Sequence, residues 1–160
     1  MRTRQVPLKM GWASKSDVRT QFAALCYRRQ GRGLQILLIT GRRTKRWALP
    51  RGWPMNGLTP SEAAAMEAWE EGGAKGAVSD VCVGIYSYTK LHGNFAGIPC
   101  VVAVFPLKVK KLSDEFPEAG ERERKWFSQK QAVARVDTPG LRQIIRHFNP
   151  DSLGQVSGFG

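Results

Sequence analysis

Residues 59–73 constrain this chain more than any other stretch: Thr-Pro-Ser-Glu-Ala-Ala-Ala-Met-Glu-Ala-Trp-Glu-Glu-Gly-Gly. Thr59, Pro60 and Glu62 form a capping box with proline at the first helical position. Gly72 and Gly73 supply the stop, because a glycine can take the positive φ that ends a helix. The pattern predicts a helix from Pro60 to Glu71. Glu67, Glu70 and Glu71 stand on it at i, i+3 and i+4, and at about 100° per residue they share one face. Like charges at that spacing cost about 0.2–0.5 kcal/mol per pair. Two readings follow: a solvated acidic face, or a site for a hard divalent cation that takes oxygen ligands. Ala63 and Ala64 lie near the azimuth of Glu67 and Glu71. Trp69 and Ala65 point the other way and are expected to pack on a sheet.

The frame around the helix favours the cation. Leu49-Pro50-Arg51-Gly52-Trp53-Pro54 is a stiff loop whose one glycine lets the backbone come close to a ligand. The stretch as a whole resembles the Nudix box, G-x5-E-x7-R-E-U-x-E-E-x-G-U, with U a bulky aliphatic residue. Gly52, Glu67, Glu70, Glu71 and Gly73 match in register, and Ala68 and Ala74 match weakly at U positions. Leu58 stands in place of the first Glu and Met66 in place of the Arg. Arg46-Trp47-Ala48-Leu49-Pro50 resembles the entry segment of Nudix proteins that act on diphosphoinositol polyphosphates and dinucleoside polyphosphates. Residues Glu121 to Phe127, with the helix after them, resemble the R-x-R-x-W-F segment of the same branch. The resemblance runs from about Phe22 to Phe148.

That resemblance implies an α+β fold, an α/β/α sandwich around a mixed β-sheet. It implies a hydrolase that cleaves a P–O–P bond with Mg2+ or Mn2+. Glu67 and Glu71 would be the metal ligands, joined by the carbonyl of Gly52, and Glu70 the proton acceptor or a ligand of a further metal. Thr40, Gly41, Arg42, Arg19 and Arg122 fall where the branch contacts substrate phosphates. The family's Arg fixes the rotamer of a box glutamate, which the thioether of Met66 cannot do; losing such support costs about 10- to 100-fold in metal affinity or activity. Arg122 and Arg124 are the cations available to replace it. For Glu118 and Glu121 two readings stand, a second-loop base or solvated loop acids. A weakened or inactive domain that binds a phosphorylated ligand is the alternative the departures allow.

Charge sets the substrate class. The chain carries 25 Lys and Arg against 13 Asp and Glu, a net +12. Arg42, Arg43, Lys45, Arg46 and Arg51 crowd the approach to the helix. That density suits a polyanionic, polyphosphorylated small molecule, and Arg46 and Arg51 are candidate phosphate contacts. The same charge supports an RNA-binding module, or an RNA 5′-end pyrophosphohydrolase, with the basic arm and loop on nucleic-acid phosphates. No nucleic-acid motif, P-loop or dinucleotide fingerprint is present. His92, in a turn, and His147, at a helix end, pair with nothing that suggests nucleophilic catalysis.

At 160 residues the chain suits one domain. The expected division is a basic arm at 1–18, the Nudix domain at 19–150 and a frayed tail at 151–160. There is no 18-residue apolar run for a membrane span and no apolar stretch near Met1 for a secretory signal. Cys26, Cys82 and Cys100 lack metal-site spacing, and Cys26 and Cys100 sit in apolar runs as buried thiols, so a reducing cytoplasm is expected. Expected strands are 21–28, 34–40, 81–89, 98–109 and 125–127. Pro99 and Pro106 mark an edge or bulge in the fourth. Turns are expected at 30–33 and 91–97, a cationic loop at 41–46, an acidic loop at 113–122, and helices at 129–136 and 139–148.

Overall fold

The computed structural model describes residues 5–7, 19–92 and 95–153, with the side chains of 90–98 outside that description. Most of the expected arm, the end of the tail, and the His92 side chain therefore lie outside the described residues. In chain order the elements are β1 (Thr20–Gln30), β2 (Gly33–Thr40), β3 (Trp47–Ala48), β4 (Arg51–Gly52), α1 (Pro60–Gly72), β5 (Ala74–Val78), β6 (Gly84–His92), β7 (Phe95–Leu112), β8 (Arg124–Ser128), α2 (Gln129–Arg135) and α3 (Pro139–His147). The eight described strands form one sheet. Its β1–β7 pair is parallel, from Thr20↔Val101 to Tyr27↔Lys108, and the other pairs are antiparallel. The sheet is mixed, as expected.

Two helical layers cover it. Ala63, Ala64 and Ala68 of α1 pack with Phe22, Ala24, Cys26, Leu37 and Phe105 on one face. Leu141 and Ile145 of α3 and Ala132 of α2 pack with Leu25, Ile36, Leu38, Val104 and Phe127 on the other. Alternation of side chains along each strand feeds the two cores separately.

The sheet splays where it receives α1. β8 pairs one edge of β2 from Gln35 to Ile39. The other edge of β2 is shared by β1, at residues 33–36, and β3, at residues 39–40. β1 therefore diverges from β2 and takes β4 instead, with Phe22↔Gly52 and Ala23↔Arg51. The Trp47–Gly52 segment is wedged into the gap, and the Ala24 N–H donates to the Pro50 carbonyl at 3.0 Å.

Three expectations need correction. Pro106 does not mark an edge, because β7 there has β1 on one side and the β6–β5 handover on the other, whereas Pro99 precedes Val101, where the described pairing with β1 begins. Pro106 sits where β7's partner changes from β6, which ends at Gly84↔Val104, to β5, which begins at Val78↔Leu107. Its carbonyl accepts from Ser79 N–H on that edge at 2.9 Å. The missing N–H thus points at a handover where no ladder bond is lost. The turn at 91–97 is shorter than expected, since His92 already pairs with Phe95. The third concerns α1: its Ala63–Ala64–Ala68 side faces the sheet, not the Trp69 side. Trp69 lies beside Phe116, ring centroids 6.5 Å apart, with Lys75 Nζ 4.2 Å over its indole.

Candidate active site

The orientation of α1 decides the environment of its glutamates. Thr59 caps the helix through Glu62 N–H, and Glu62 returns a bond to Thr59 N–H. Gly73 ends it at φ 67°, its N–H reaching the carbonyls of Ala68 and Trp69. No side chain is possible there: a Cβ on Gly73 would lie 2.5 Å from Phe116 and 2.6 Å from the Ser113 carbonyl. Because the alanine side is the buried side, Glu71 goes under with it and is only 8% exposed.

Glu71 is held by both oxygens. Its Oε1 accepts the Arg51 N–H at 2.9 Å, and its Oε2 pairs with Arg122 Nη2 at 2.7 Å. Burial is the largest influence on this carboxyl and pushes it up to about 7, despite the opposing pull of Arg122 and the Arg51 N–H. Glu67 lies against Gly52, where an added Cβ would fall 2.1 Å from Glu67 Oε1. A glycine is thus obligatory at 52 for the carboxylate to occupy this position. Glu70 stands at the rim, half-buried, and its carboxylate has no hydrogen-bond or ion-pair partner among the described residues. Met66, one turn earlier, is 39% exposed.

The acidic loop folds over the C-terminal end of α1. Arg124 anchors it, donating to the Gly72 carbonyl at 2.8 Å and to the Ser113 carbonyl at 2.6 Å, with Asp114 at 2.8 Å. The Glu118 N–H bonds the Glu70 carbonyl at 3.0 Å. These bonds satisfy carbonyls that a helix end leaves open. They also bring Glu118 and Arg122 to Glu71, with Arg122 Nε and Nη2 each 3.3 Å from Glu118 Oε1. Of the two replacement cations suggested by sequence, Arg122 reaches a box glutamate and Arg124 caps the helix. Glu118 is no solvated acid, for it also faces Arg42 at 3.9 Å, while Glu121 lies 3.6 Å from Arg42.

The other candidate phosphate contacts divide. Arg42 is exposed beside this loop. The Thr40 hydroxyl accepts from Glu123 N–H at 3.0 Å, and the Gly41 N–H reaches the Arg46 carbonyl at 2.9 Å. Arg19 is exposed at the start of β1, its carbonyl bonded to Val101 N–H. Arg46 turns to Asp137, 3.3 Å away at the α2–α3 junction. Arg51, opposite Ala23, sends its side chain to the α2–α3 face, where its guanidinium lies 4.0 Å over the Tyr88 ring and 3.5 Å from Tyr86 Oη. Sequence reasoning did not single out those tyrosines. Their alternation in β6 was readable, but their meeting with Arg51 depends on β4 being in the sheet.

Carboxylate and carbonyl oxygens are donors suited to a hard cation. Among the described residues no three His, Cys, Asp or Glu side chains converge as a ready cage. Magnesium does not need one, since it keeps several waters and takes one or two carboxylates. Glu67, seated against Gly52 by a contact only glycine allows, and Glu71, bonded to the neighbouring Arg51 N–H, offer oxygens of the kind such an ion takes.

The NUDIX domain family model matches residues 18–148. Nudix hydrolase 13, mitochondrial, of Arabidopsis thaliana is 30% identical over 120 residues, covering 72% of this chain and 59% of the relative. Diphosphoinositol polyphosphate phosphohydrolase 3-alpha of Mus musculus is 27% identical over 115 residues, covering 69% of this chain and 65% of the relative. The chain thus spans about three-fifths of the length of the curated relatives it matches. Among solved structures, the C. elegans Ap4A hydrolase superposes with a TM-score of 0.58 at 16% identity, over 89% of this chain and 98% of that one. The family match over most of the sequence and the shared fold agree with the glutamate-bearing helix: the chain belongs to the Nudix family.

Proposed function

We propose that the protein is a divalent-metal-dependent pyrophosphohydrolase acting on a highly phosphorylated substrate of the diphosphoinositol polyphosphate or dinucleoside polyphosphate type. The observation that carries this reading is the grouping on α1: Glu67 against Gly52, Glu71 held by both oxygens, and Glu70 next to Glu71 in the chain, half-buried. Glu67, Glu71 and the Gly52 carbonyl would hold Mg2+ or Mn2+. The ion, when bound, supplies Lewis-acid polarisation of phosphoryl oxygen and a more acidic water. Glu70 accepts the proton of the attacking water as its oxygen bonds to phosphorus. The bridging P–O bond breaks, and its electrons leave on the departing phosphate. Arg42, exposed beside Glu118 and Glu121, and Arg19, exposed ahead of β1, would neutralise phosphates of the substrate, with Thr40 and Gly41 shaping the loop that presents Arg42.

The names of the relatives suggest the substrate class, and the net +12 charge agrees with a polyanion. Three free cysteines, two of them buried, fit a reducing compartment such as the cytoplasm. No helix among the described residues is long and apolar enough to cross a membrane. Met66 favours a second reading, a domain that binds phosphorylated ligands with little turnover. A panel of diphosphoinositol polyphosphate, diadenosine polyphosphate and capped RNA, assayed with Mg2+, with Mn2+ and with EDTA, decides between them. Turnover that EDTA and Glu70→Gln both abolish supports the hydrolase. Tight binding without turnover by either metal, not restored by Met66→Arg, rejects it.

A further inference from the structure

We propose that Arg122 is the positioning residue of this site. It holds Glu71 in place, the support that Met66 cannot give a box glutamate, and it is not a phosphate contact. The inference rests on the metal-site reading above and assigns Arg122 a role within it.

The donor inventory carries the argument. A guanidinium has five N–H groups in a planar fork. Nε and Nη2 both reach Glu118 Oε1 at 3.3 Å, Nη2 also reaches Glu71 Oε2 at 2.7 Å, and Nη1 reaches the Thr40 carbonyl at 3.1 Å. All three nitrogens are committed to protein acceptors, and the side chain is only 13% exposed. A phosphate would have to displace bonds that hold the loop over α1. Arg42, by contrast, is 57% exposed and approaches Glu118 and Glu121 at 3.9 and 3.6 Å. Arginines that grip substrate phosphate present free forks; those that fix a ligand's carboxylate are saturated from within.

The placement also explains how the site tolerates Met66. An arginine at 66 would stand one turn before Glu70, at i, i+4. Here support arrives from the loop before β8 and acts on Glu71 instead. Glu71 is then fixed at Oε1 by the backbone of β4 and at Oε2 by Arg122, leaving a lone pair on each oxygen for a cation.

The test is Mn2+ affinity of the full chain without substrate, read by electron paramagnetic resonance of free Mn2+, beside steady-state kinetics on the best substrate of the panel. Arg122→Gln should weaken Mn2+ binding about 10- to 100-fold, with Arg122→Lys recovering part of it. Glu118→Gln, which loosens Arg122 without removing it, should give a smaller loss in a protein whose melting temperature confirms folding. Arg42→Gln should raise KM and leave Mn2+ affinity unchanged. Mn2+ binding by Arg122→Gln that equals or exceeds the unmodified protein's, with KM raised as in Arg42→Gln, overturns the proposal alone. Absence of Mn2+ binding by the unmodified protein overturns both it and the metal-site reading.

Discussion

The two faces of the sheet are built on different principles. Toward α2 and α3 the core is made of large side chains, among them Leu25, Ile36, Leu38, Phe127, Leu141 and Ile145. Toward α1 the helix contributes Ala63, Ala64 and Ala68. Large residues stabilise by burying area, at roughly 25 cal/mol per Å2. Alanines bury little but let a helix come close to the strands, and closeness is what seats Glu67 against Gly52 and puts Glu71 within reach of the Arg51 N–H. One face secures the fold, and the other places charged groups where apolar packing would ordinarily exclude them.

Ile145→Ala should break the comparison most strongly on the stability side. Ile145 is fully buried, and the loss should be about 2–5 kcal/mol by denaturant unfolding, with turnover per folded molecule unchanged. A pH series should expose the other face. Glu71 has its pKa raised from 4.5 to about 7, so between those values the native state binds more protons than the unfolded one. Stability in EDTA should therefore fall as pH rises from about 4.5 to about 7, by on the order of 3 kcal/mol from this group, and level off above. Glu71→Gln should flatten that segment of the profile; an unchanged profile would remove Glu71 as its source. Ala64→Leu, on the α1 face, should cost about 1–3 kcal/mol by overpacking. Unlike Ile145→Ala it should also lower turnover per folded molecule, about 100-fold if the helix lifts by about 1 Å. Arg46→Ala should do least: its pair with Asp137 is exposed, so a melting experiment should register less than about 1 kcal/mol.

Local signals carried the sequence reading far. The caps at Thr59 and Gly73, the strand alternation and the helix at 139–148 are decided by neighbours a few residues apart, and they were legible. The β3–β4 wedge was not, because each strand is two residues long and has no period of its own: Trp47 pairs across a loop with Thr40, and Gly52 with the distant Phe22. The direction α1 faces was misread because Trp69 outweighs three alanines in any hydrophobic tally, although alanines suit a close approach better. Charge density grouped Arg46 and Arg51 with Arg42, and the geometry separates them: Arg46 turns to Asp137, and Arg51, paired with Ala23 from β4, turns to Tyr86 and Tyr88. Glu67, Glu70 and Glu71 were visible as a cluster. That Arg122 would serve Glu71, and Arg124 the helix end, required the loop to be seen in place.

The parallel pairing of β1 with β7 has a consequence for how the molecule comes into being. β1 leaves the ribosome before α1, but the residues that complete its ladder on one side, Val101 to Lys108, come long after α1 has been made. Pairings between segments so distant are slow, because the intervening chain must be closed into a loop before any contact repays it. Until then one edge of β1, carrying Ala23, Leu25 and Tyr27, stays open to other chains. α1 meanwhile has only part of its sheet, and its glutamates await Arg122, which lies later still in the sequence. The site is thus among the last features to form, and any delay in synthesis of the second half prolongs the interval in which the first half is prone to aggregate.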